Sequence, residues 1–156
     1  MQNISTIELV KLDKSTILKT LDSQLHKIKT SVNFADFKRE FRKFQELKSE
    51  FGMQYQLNQF RFFADTTQTE LKSNYEFYAQ TYPELKIRDS ELKKIVANSP
   101  YMSEIKNEFG DNLFFDIKNS SFTVNERAKE FMQKESSLER ELVEFKSQSK
   151  ITWEGG

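Results

Sequence analysis

The chain contains no cysteine, which excludes disulfides, thiolate nucleophiles and cysteine-ligated metals together. That absence fits a reducing cytoplasm. His26 is the only histidine, so no site built from two imidazoles exists here, His-Glu-x-x-His zinc sites included. The carboxylate-bridged dimetal site of four-helix bundles needs Glu-x-x-His, and Ser23 stands three residues before His26. Gly52, Gly110, Gly155 and Gly156 never cluster into a phosphate-cradling loop. No Gly- or Pro-rich linker divides the chain, and it has no internal repeat or low-complexity segment. Neither sign of charge dominates: Lys plus Arg and Asp plus Glu are 24 each, which points away from nucleic acid and from anionic membranes. No apolar run approaches the ~18 residues of a membrane span. The N-terminus, MQNISTIELVKLDK, lacks a basic segment followed by an apolar one. The expectation is a soluble cytoplasmic protein with no membrane or nucleic-acid partner.

What the chain does have is phenylalanine, fifteen among 156 residues. That length suits one domain with a real core, and so many rings argue against disorder. The stretch from Asn33 to Ala64 organises the rest. Phe34, Phe37, Phe41, Phe44, Leu47 and Phe51 recur at steps of three and four, the spacing of one helical face. Lys38, Arg39, Glu40, Arg42, Lys43, Glu46, Lys48 and Glu50 stand between them for the solvated side. Met53, Leu57 and Phe60 are expected to carry the stripe past Gly52. An unbroken helix here runs about 45 Å. So long an aromatic ridge needs covering, and the fold class is all-α: an antiparallel helical bundle around one long Phe-rich central helix.

Residues before it predict a first helix capped by Asp13 or Ser15 and burying Ile17, Leu18, Leu21, Leu25 and Ile28. Asn33 is the expected N-cap of the long helix, with Asp36 in its first turn. After Asp65-Thr66, Thr67 and Glu70 read as a capping box for a helix through Leu71, Tyr75, Tyr78 and Tyr82. Pro83 either ends or kinks that helix, and Leu85, Ile87, Leu92, Ile95 and Val96 can continue it. Ser99-Pro100 restarts the chain in a short helix that Gly110 stops. Leu113, Phe114, Phe115 and Ile117 suggest another short one. Thr123 and Glu126 form a second capping box, opening a last helix expected to bury Ala128, Phe131, Leu138, Leu142 and Phe145. Lys150 to Gly155 then alternates polar with β-branched and aromatic residues, a short C-terminal strand pattern with no partner strand in the chain.

Chemistry-bearing constellations are few. Glu139 with Glu141, or Glu126 with Glu130, could act as acid and base, but a solvated helix face explains them better. Lys38, Arg39, Arg42 and Lys43 form a basic patch that Glu40 and Glu46 interrupt, and the nearby rings belong to the buried stripe. His26 borders the Leu25/Ile28 face and reads as a boundary residue. No catalytic, cofactor-binding or metal-binding residue is assigned.

Three segments carry a resemblance. Phe60-Arg61-Phe62-Phe63-Ala64-Asp65-Thr66 is similar to the Ile-Arg-x-x-Ile-Asp-Thr of the oligoendopeptidase F-type zinc metallopeptidases. Ser99-Pro100-Tyr101-Met102-Ser103-Glu104-Ile105 with Asn107-Glu108-Phe109-Gly110 resembles the family's Ser-x-[Phe/Tyr]-x-x-Glu-[Leu/Ile]…Phe-Gly. Glu135 through Leu138, Leu142 and Ser147 to Ile151-Thr152-Trp153-Glu154-Gly155 resembles the passage where the family's helical N-terminal domain hands over to a β-hairpin. The chain departs at Ala64, at Gln148 and Ser149, and in a shortened segment after Gly110.

The resemblance implies a non-catalytic N-terminal helical domain over residues 1–150, with 151–156 starting the handover strand. In that family the domain walls a channel that admits short peptides, while a downstream domain carries the zinc. Zinc is therefore expected only in a catalytic domain absent from this chain, which alone should not hydrolyse peptides. Oligopeptides become partners through the full-length enzyme, and a homo-oligomer through exposed apolar surface. The competing expectation is a freestanding helical interaction protein that binds a peptide, another protein or itself.

Overall fold

A computed structural model describes residues 13–119 and 124–148. Six helices follow one another: α1 (Lys14–Lys29), α2 (Phe34–Ala64), α3 (Thr69–Ala97), α4 (Met102–Phe109), α5 (Asp111–Asn119) and α6 (Glu126–Gln148). No strand occurs among the described residues, and the strand expected at Lys150 to Gly155 lies outside them. The fold is an all-α bundle.

Local chemistry sets the helix ends. Asp13, not Ser15, caps α1 by accepting from the Thr16 amide at 2.8 Å. Asn33 caps α2 through the Asp36 amide at 2.9 Å, and its own amide group donates to the Asp36 carboxylate. The capping box expected at Thr67 is not formed. Asp65 instead accepts from the Thr67 amide at 3.0 Å, the Thr67 hydroxyl at 2.6 Å and Gln68 Nε2 at 2.6 Å, so Thr67 belongs to the interhelical turn and α3 starts at Thr69. These donors, the Thr67 hydroxyl foremost, hold the Asp65 carboxyl below its ordinary pKa. Asn125 caps α6, accepting from the Ala128 amide at 3.0 Å; Thr123, where the cap was expected, lies outside the described residues. Ser99 accepts from the Tyr101 amide as a cap would, but α4 begins at Met102, beyond Pro100. Gly110 ends α4 with φ +85°, a left-handed geometry that favours glycine. Helix α3 continues through Pro83, leaving the Ala79 carbonyl without the amide four residues on.

The core is α1, α2 and α3. Lys48 meets Asp89, Phe51 meets Tyr78 and Phe62 meets Tyr75, so partners descend α3 as they ascend α2 and the two run antiparallel. Phe37, Phe41, Phe44 and Phe51 are buried as expected, Phe34 and Leu47 only partly so, and Phe62 is buried as well. Met53 and Phe60 are not: they are 49% and 65% exposed. A step of two or nine residues from Phe51 turns the helix by close to half a circle, which puts both on the far side. The buried line runs through Gln54, Leu57 and Asn58 instead. Gly52 leaves α2 unbroken, and a Cβ added there meets nothing within 4 Å. Gly52→Ala should therefore stabilise the protein by about 1 kcal/mol, read as a raised urea midpoint with unchanged slope.

Helix α6 reverses its expected orientation. Phe131, Leu138, Leu142 and Phe145 are 62%, 56%, 50% and 71% exposed, and no residue of α6 is buried. It docks on α3 by its polar side. Lys129 pairs with Glu84 at 2.6 Å, Gln133 donates to the Gln80 carbonyl at 3.1 Å, Arg140 pairs with Glu76, and Lys72 pairs with Glu144 at 2.6 Å. Partners on α3 descend as those on α6 ascend, so this pair is antiparallel too. Half-exposed ion pairs of this kind contribute about 0–1 kcal/mol each and weaken in salt. The α6 amides should thus exchange hydrogen well before those of α1, α2 and α3, and faster still in 1 M NaCl. Uniform protection across all four helices would contradict this docking.

Candidate functional surface

The buried stripe leaves little polar surface gathered in one place. One cleft lies where α2, α3 and α6 meet. It encloses about 370 Å³ and is lined by Tyr55, Tyr82, Pro83, Met132, Glu135, Ser136 and Glu139. The stiff Pro83 turn of α3 forms one side, and the Tyr55 and Tyr82 rings stand 5.1 Å apart beside it. Tyr75 donates to Glu139 at 3.4 Å. Burial first, then neighbouring Tyr55 and the Glu139 charge, raises the Tyr75 pKa. Burial likewise raises Tyr55. Both phenols therefore stay protonated near neutrality and can only exchange hydrogen bonds, not protons. The cleft can hold an apolar or hydrogen-bonding group; the Ser136 hydroxyl that lines it donates to the Met132 carbonyl at 3.0 Å. A second cleft of similar size, between the ends of α1 and α3, is mostly apolar and lined by Ile28, Phe37, Ile95 and Tyr101.

The residues weighed for chemistry are scattered. His26 is exposed at the rim of a small cleft with Asp22, Lys29 and Glu91. The basic patch on α2 is taken up in ion pairs: Lys38 and Arg42 both grip Glu108 of α4, at 2.5 and 2.6 Å, and Arg39 and Lys43 both reach Glu40. Arg39 foremost holds the Glu40 carboxyl below its usual range. Those cations tie α2 to α4 and to itself. Glu126 is taken up by Lys129 and Glu139 by Tyr75, Glu130 and Glu141 are exposed, and Glu139 shares its cleft with Glu135. Among the described residues, no group of three or more His, Asp or Glu could hold a metal ion.

The motif residues have clear structural tasks. Asp65 builds the α2–α3 turn, and the Thr66 hydroxyl donates to Ser147 of α6 at 2.7 Å. Tyr101 packs its ring on Phe34 and Phe37, Phe109 packs on Phe41, and Glu108 holds the two α2 cations. The first two segments thus lock α2 to its neighbours. A family profile described as Peptidase M3 N-terminal domain matches residues 4–124. The chain belongs to that family. The match runs through α1 to α5 and stops just short of α6. No curated protein and no solved structure matches the chain. The M3 N-terminal domain is non-catalytic by this assignment, consistent with the task each motif residue performs here. No helix among the described residues is long and apolar enough to cross a membrane.

Proposed function

We propose that this M3 N-terminal domain forms one wall of the peptide channel of a cytoplasmic oligoendopeptidase F-type metallopeptidase. It admits short flexible peptides, and the zinc chemistry belongs to a downstream domain. The observation that carries this reading is the family match over α1 to α5, with both resembling segments placed at the joints of α2. The Tyr55/Tyr82 cleft supports it as a surface that can touch a passing peptide. Helix α6 favours a second reading, a freestanding interaction module, because its exposed apolar face offers contact area.

An immunoblot of the source cells with antibody to this domain separates the two. A band several times larger than 18.5 kDa is expected. A band at 18.5 kDa would overturn the peptidase reading and turn the search to partners. The purified chain should also leave a quenched-fluorescent peptide uncut with zinc added. Turnover that survives His26→Ala would count against a non-catalytic wall.

A further inference from the structure

The outward face of α6 has an internal symmetry that its inward face lacks. Phe131 and Phe145 each lie seven residues from Leu138, two helical turns either way, so all three fall on one line. Leu142 widens that line on one side, and Lys134 and Glu141 flank it on the other. The α3-docking residues Lys129, Gln133, Arg140 and Glu144 occupy the opposite face. We propose that this line is a self-association surface, where α6 of a second copy packs antiparallel with Leu138 at the twofold axis.

The geometry supports this occupant in three ways. About a common centre at Leu138, Phe131 of one copy meets Phe145 of the other, twice. On the flank, Lys134 comes within one residue of Glu141 of the second copy, again twice, so opposite charges meet in both halves. The helix dipoles also oppose and cancel in an antiparallel pair.

Area agrees as well. At about 200 Å² per aromatic side chain, the two exposed rings with half-exposed Leu138 and Leu142 present roughly 450 Å² of apolar surface per copy. Two copies, with the stems of Arg127, Lys134 and Glu141, reach about the 1,200 Å² lower bound of a specific interface. A chain of zero net charge does not repel its copy. The contact is weak and reversible, with association developing over about micromolar to hundred-micromolar concentrations. The family match stops before α6, so this surface is not one that the match itself brings.

The chain's lack of cysteine makes the test clean. Sedimentation of the full chain over that range should show a monomer–dimer equilibrium. Leu138→Glu, at an exposed position, should abolish it while circular dichroism stays unchanged. Leu138→Cys should form a disulfide dimer under mild oxidation. Phe131→Cys alone should not, whereas an equimolar mixture of Phe131→Cys and Phe145→Cys should cross-link. A clean monomer at every concentration, a dimer indifferent to Leu138→Glu, or ready self-cross-linking of Phe131→Cys would each overturn the proposal.

Discussion

Phe51→Ala is expected to cost about 4 kcal/mol, while Phe60→Ala on the same helix costs less than about 0.5 kcal/mol. Phe51 is wholly buried, its ring 5.1 Å from that of Tyr78. Truncation there loses the ring's transfer energy, leaves a cavity between two long helices and removes an aromatic pair worth about 1 kcal/mol. Phe60 stands nine residues on, half a circle round α2, and is 65% exposed. A domain of this size is held by only about 5–15 kcal/mol, so Phe51→Ala should unfold at a much lower urea concentration. The paired measurement also tests whether α2 is continuous. If Gly52 broke the helix and reset its phase, the difference between the two variants would shrink or reverse.

Lys48→Met is the second large effect. Asp89 is a buried carboxylate whose close partner is Lys48, at 2.6 Å; Lys93 stands at 3.9 Å. Removing the ammonium leaves a desolvated charge with the looser Lys93 pair alone, and breaking a fully buried pair costs about 3–5 kcal/mol. Lys48 keeps about a third of its side chain in water, so about 2–3 kcal/mol is expected here. The double variant Lys48→Met with Asp89→Leu should recover most of it, since two apolar groups need no partner. Equal destabilisation by the single and double variants would mean that lost packing, not the orphaned charge, is responsible. By contrast Arg88, which grips Asp22 with two nitrogens at 2.7 and 3.0 Å, leaves an exposed carboxylate behind when removed, and its loss should be far milder.

Much of the fold is legible in the sequence, because the rules that govern it are local. The three-and-four spacing of Phe37, Phe41, Phe44 and Phe51 names the buried face whatever packs on it. Asp13, Asn33 and Gly110 act within one turn of themselves, and the structure places all three where their chemistry predicts. Thr67 shows where local reading stops. A threonine three residues before a glutamate fits a capping box, but Asp65 competes for Thr67 from two residues back and wins with two hydrogen bonds from it and a third from Gln68. Asn125 caps α6 because the helix starts one residue after it. Candidate chemistry was legible mainly as absence: one histidine and no cysteine leave few ligands to assemble.

The amino-acid order by itself determined that this chain is helical, aromatic-cored and limited to one histidine and no cysteine. Which face of α6 meets the bundle was decided only in three dimensions. An amphipathic helix buries its apolar side when the surface offered to it is apolar. Here the outer side of α3 offers Lys72, Glu76, Gln80 and Glu84 at four-residue steps, and α6 answers with Glu144, Arg140, Gln133 and Lys129. Complementary ladders were present in both sequences, yet nothing local says that those two helices are neighbours. That adjacency follows from α1 and α2 having already taken the apolar sides of α3, so the only face left for α6 was a charged one.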